Sequence, residues 1–196
     1  MSKLIKNIKL LSIIGASVFL LAGCLDFGGD TPPPTNENMN TYDTNVLSIS
    51  IPKTWEILEQ DDFTGEVPQE TLVVFRNNVK NENFTANIGI VRKRLLEPLT
   101  SQEFAIMTNN RQSEGLPDYK EIEKNSTIIT IGDKEDDTYL VVFEARKSAD
   151  ERLVKYVQIY GVKDNFGYIA TGAVSPQESA EIFNLVGDSI KTFKLK

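Results

Sequence analysis

Histidine is absent from the 196-residue chain, and cysteine and tryptophan occur once each. The first absence removes the commonest general base and the commonest metal ligand together. Ser–His and Cys–His nucleophilic pairs are therefore impossible. A single cysteine excludes an internal disulfide and every thiolate cluster for zinc or iron–sulfur. A basic excess is also missing: 21 Lys and Arg stand against 28 Asp and Glu, a net charge of −7. A nucleic-acid binder needs a basic footprint, so no nucleic-acid partner is expected. No glycine-rich phosphate loop, G-x-S-x-G or S-x-x-K motif is present. No catalytic residue, metal ligand or cofactor is assigned, and the chain is read as a non-enzyme. A hydrolase built on carboxylates alone stays open, because facing acid pairs leave no trace in sequence.

What is present begins at the N-terminus. Lys3, Lys6 and Lys9 precede an apolar run over 10–22, which ends in Leu21-Ala22-Gly23-Cys24. The run has the length of a signal-peptide core and is short for a membrane span. Its close, holding the only cysteine, resembles the lipobox of bacterial lipoproteins. In that family the Cys thiol takes a diacylglyceryl group and the peptide is cut before it. The resemblance makes 1–23 a signal peptide and Cys24 the lipidated N-terminus of the mature protein. It implies a cell-membrane or outer-membrane location on the extracytoplasmic face. Cleavage would take 3 of the 21 basic side chains and none of the 28 acidic ones, leaving −10. Such a surface gains nothing from anionic headgroups, so the membrane partnership would run through lipid.

Residues 24–41 read as that lipidated Cys and a disordered tether, rich in Gly, Pro, Asn and Thr and poor in apolar groups. Residues 42–196 remain for one domain. Alternation predicts strands over 46–51, 72–76 and 84–92, with an Asn-rich hairpin loop over 77–83. Thr100 and Glu103 form a capping box for a helix reaching about residue 113. Strands follow over 119–131, 139–147, 153–162 and 166–174. Ser175, Pro176 and Glu178 read as the start of a last helix, with Ile182, Phe183, Val186 and Ile190 as its apolar stripe. In 153–162, Leu153, Val157 and Ile159 share one face, and Val154, Tyr156 and Tyr160 the other. A strand apolar on both faces is covered on both. The expected fold is an α+β, α/β/α sandwich: a mainly antiparallel sheet of about six or seven strands, with helices on both faces.

The domain also resembles the PsbP-like family. Ser48-Ile49-Ser50-Ile51-Pro52 followed by Trp55 is similar to the family's opening. The 84–92 strand with the helix from Thr100, Gly132 with 139–145, Phe166-Gly167-Tyr168-Ile169, and the closing Ser189-Ile190-Lys191-Thr192-Phe193 are similar to its later blocks. The resemblance implies a fold whose members act mainly by binding proteins, among them photosystem II PsbP, a Ran-binding nuclear import factor and bacterial lipoproteins. Histidines contribute to metal sites proposed in PsbP; this chain has none, and no ligand is carried over. The implied function is a non-catalytic binding or accessory module with an envelope protein as partner. A small-ligand carrier is the alternative, and an envelope hydrolase the remoter one.

Three features are candidates for a site. Trp55, with Tyr42 and Phe63 near it in sequence, would line a pocket or else fill a core edge. Arg92-Lys93-Arg94 is a basic triplet in an acidic chain, available to an anionic partner or simply solvated. Asp133-Lys134-Glu135-Asp136-Asp137 lacks the spacing of a calcium loop and reads as a solvated turn.

Overall fold

The computed structural model describes residues 38–63, 67–79 and 84–196. The lipobox and Cys24, and all but the end of the tether, lie outside these residues. Ten strands and two helices follow in order: β1 (Met39–Asp43), β2 (Leu47–Pro52), β3 (Glu56–Glu59), β4 (Thr71–Arg76), β5 (Asn87–Arg94), α1 (Ser101–Gly115), β6 (Lys120–Ile131), β7 (Lys134–Ala145), β8 (Val154–Lys163), β9 (Phe166–Val174), α2 (Ala180–Lys191) and β10 (Lys194–Leu195).

All ten strands form one sheet in the order β1-β2-β10-β6-β7-β8-β9-β5-β4-β3. Every pairing is antiparallel except β10 with β6. Six or seven strands were expected; β1, β3 and β10 account for the excess. The sheet curls until its ends touch. Tyr42 on β1 donates a 2.8 Å hydrogen bond to Glu59 Oε1 on β3, and its ring stands edge-on to Phe75 on β4 at 5.1 Å. Thus β1 takes 39–41 from the stretch read as tether. It is mostly exposed, so its composition looks like that of a spacer; its partner β2 holds it in place.

The curl divides the core in two. Ile49, Ile51, Phe75, Ile88, Ile90 and Ile159 fill the inner face together with Val186 and Ile190 of α2. On the outer face Val141, Phe143, Tyr160 and Ile169 pack with Phe104 and Ala105 of α1. The two helices cover opposite faces, as the doubly apolar β8 requires. The Asp164-Asn165 hairpin between β8 and β9 has φ of 51° and 62°, the pair of positive values a type I′ turn demands.

The α1 cap is the one read from sequence. Thr100 Oγ1 accepts from the Glu103 N–H at 3.2 Å, and Glu103 Oε2 accepts from the Thr100 N–H at 2.9 Å. The Thr100 N–H, together with the Thr100 hydroxyl donating to the same Oε2 at 3.0 Å, holds the Glu103 carboxyl below its usual range. Helix α2 starts four residues later than the sequence predicts. Ser179, not Ser175, is the N-cap, accepting from the Ile182 N–H at 3.3 Å. Ser175 instead closes a turn, its Oγ accepting from Gln177 N and its carbonyl from Glu178 N. The acidic run also differs: only Asp133 precedes β7, and 134–137 lie within that strand. Alternation sends those side chains to two faces and dissolves the cluster. No group of three or more Asp, Glu, His or Cys among the described residues could hold a metal.

Helix α2 approaches β9 at Gly172. A Cβ there would collide with Val186 Cγ1 and stand 2.9 Å from Val157 Cγ1. Gly172→Ala is expected to destabilise the domain by about 1–3 kcal/mol, read as a lower midpoint in urea.

Candidate functional site

Strand alternation separates the residues that the sequence placed side by side. On β5, Ile88 and Ile90 enter the inner core, and Arg92 continues their face past its end. Lys93 lies on the other face, opposite Gly167 across the ladder. All three triplet residues are exposed, but they do not form one patch. Trp55 is 6% exposed and belongs to the inner core. Its burial leaves no open ring face for a ligand, so it takes the core edge, the other of the two places its residue type suggests. Phe63 is half-buried, and Tyr42 goes to the seam where the sheet ends meet.

That seam opens into a cleft of about 390 Å³. Val46, Leu47 and Leu72 give it an apolar side, while Tyr42, Glu59, Asp61 and Arg92 stand at its rim. Such a volume falls in the range of small-ligand sites, and barrel mouths are a frequent place for them. The Arg92 guanidinium lies 4.9 Å from the centre of the Phe166 ring, which fixes its direction. Burial, the bond to Glu59 and that carboxylate's charge push the Tyr42 phenol up to about 12. It therefore remains a hydrogen-bond donor through the physiological range.

A second cleft, of about 270 Å³, lies beside α1 on the outer face. Phe104, Met107 and Ile169 supply apolar lining, with Lys93 from β5 and Arg111 from α1. Arg111 was not singled out from sequence; a lone cation on a polar helix gives no sign of which side it takes. A third cleft, of about 330 Å³, contains Arg146 and Arg152. Arg146 is occupied structurally, with Nε 2.6 Å from Asp118 Oδ2 and Nη1 bonded to the Glu151 carbonyl.

No protein-family model and no curated protein matches the sequence. Solved structures do. Cyanobacterial PsbP (CyanoP) from Synechocystis sp. PCC 6803 superposes with a TM-score of 0.55 at 12% identity, over 86% of this chain and 98% of that one. The fold is related to the PsbP-like fold. LpqN of Mycobacterium tuberculosis, a protein involved in cell envelope biogenesis, gives 0.53 at 11% identity, over 81% and 90% of the two chains. A Pseudomonas aeruginosa protein of unknown function gives 0.51 at 14%, over 79% and 95%. At these identities the likeness concerns architecture. A shared fold carries no site with it. What the clefts can bind depends on their own residues.

Proposed function

We propose that the chain is a lipoprotein of the cell envelope, anchored through acyl chains on Cys24. Its PsbP-like domain would face away from the cytoplasm, on the cell membrane or outer membrane, as a non-catalytic binding or accessory module for an envelope protein. The observation that carries this reading is the lipobox Leu21-Ala22-Gly23-Cys24, which places the chain's one cysteine at the end of its one signal-like run. LpqN, named for envelope biogenesis, shares the fold, which supports the reading. Tethering keeps the domain within reach of neighbouring proteins, so a weak surface contact works at an effective concentration of the order of millimolar.

Crosslinking the protein in its native membranes and identifying what it captures tests the module. One dominant envelope protein, lost in the Cys24→Ala variant, is the expected result. Diffuse capture unchanged by that variant would contradict it. A small-ligand carrier is the second reading, and the 390 Å³ seam cleft favours it over the buried Trp55. A carboxylate hydrolase gains less from the same cleft: Glu59 and Asp61 are exposed at its rim, and Glu59 is already hydrogen-bonded to Tyr42.

A further inference from the structure

The cleft beside α1 has a charge pattern at odds with the rest of the chain. Its lining contains two cations, Lys93 and Arg111, and no Asp or Glu, in a protein of net charge −7. Both side chains are exposed. Neither makes an ion pair or hydrogen bond with any described residue. Between them lies an apolar lining of Phe104, Met107 and Ile169. The end of α1 contributes the equivalent of roughly half a negative charge, which two full cations outweigh.

An occupant that answers both features has an anionic end and an apolar body. We infer that the cleft binds the C-terminal residue of a partner protein, its carboxylate held by Lys93 and Arg111. The apolar side chain of that residue would rest on Met107 and Ile169. Capture of a terminal carboxylate is an established mode of peptide recognition. A fatty-acid anion carries the same two groups; the binding-module reading selects the peptide, and displacement by decanoate tests that choice. The inference rests on the binding-module reading for the source of the peptide alone. Its test uses the purified full chain, so the state of Cys24 does not enter the result.

Fluorescence polarisation would follow fluorescein-labelled octapeptides, degenerate except for a C-terminal leucine, added to the full-length protein in detergent. The free-carboxylate peptides are expected to bind at least about tenfold more tightly than the same peptides amidated at the C-terminus. Lys93→Gln and Arg111→Gln should each weaken binding by about tenfold, with Lys93→Arg close to wild type. Both positions are exposed, so unchanged thermal midpoints will separate lost binding from lost fold. Equal binding of acid and amide, no binding of either, indifference to both glutamine variants, or displacement by decanoate would each overturn the proposal.

Discussion

Replacing Phe104 with alanine is expected to cost the domain about 3–5 kcal/mol, the range for removing a buried aromatic ring. Phe104 is 2% exposed. Its ring occupies the space a side chain would take at Gly167 of β9, where a Cβ would come within 2.6 Å of Cε2. It also stands edge-on to the buried Tyr160, centroid to centroid 6.3 Å. The close seating means that neighbours cannot collapse into the vacancy without moving α1, so both the transfer and the cavity costs apply. Domains have only about 5–15 kcal/mol in total, so the loss is a large share. Urea unfolding checks it: the midpoint should fall sharply with the slope unchanged. A loss under about 1 kcal/mol would mean that α1 is not held through this ring.

Cys24→Ala is expected to move the protein from the membrane to the soluble fraction. Each buried methylene of an acyl chain contributes about 0.8 kcal/mol, so losing two or three chains changes partitioning by many orders of magnitude. The domain offers no electrostatic substitute, since the chain without residues 1–23 would carry −10, with 18 basic and 28 acidic side chains. The wild-type protein should accordingly stay with membranes through a high-salt wash, fractionated and detected by immunoblot. An alanine variant that remained membrane-bound would locate the anchor elsewhere.

Much of this fold was legible because the informative signals were periodic. The stripe Ile182, Phe183, Val186 and Ile190 does face the inner core, although the start of α2 was misread. A 3.6-residue pattern depends on where the apolar residues fall and is indifferent to which of two serines, 175 or 179, caps the helix. The Thr100–Glu103 box was unambiguous because the adjacent Ser101 has Phe104, not Glu or Gln, three residues on. Polar strands were another matter. Met39–Asp43 and Glu56–Glu59 have little apolar alternation, and they become strands because the curled sheet brings them partners such as Tyr42 with Glu59 and Arg76 with Glu56.

The site was less legible, and for a different reason. Arg92 and Lys93 were within reach of a period-2 argument, which alone sends them to opposite faces of β5. Their partners come from distant elements, Phe166 for Arg92 and Arg111 for the cleft that Lys93 lines. Only the pairing of β5 with β9 and the seating of α1 bring these together. Trp55 shows the limit of residue type as a guide. Aromatic side chains fill cores as readily as they line pockets, and its place beside Ile51 and Phe75 in the inner core depends on the curl.

The anchored module is tested most directly by the mass of the N-terminal peptide of the protein isolated from membranes. A lipoprotein yields a chain beginning at Cys24, its sulfur carrying a diacylglyceryl group in thioether linkage. A peptide that keeps residues before Cys24, or one with Cys24 as a free thiol, would contradict the anchor and the tethered role that depends on it.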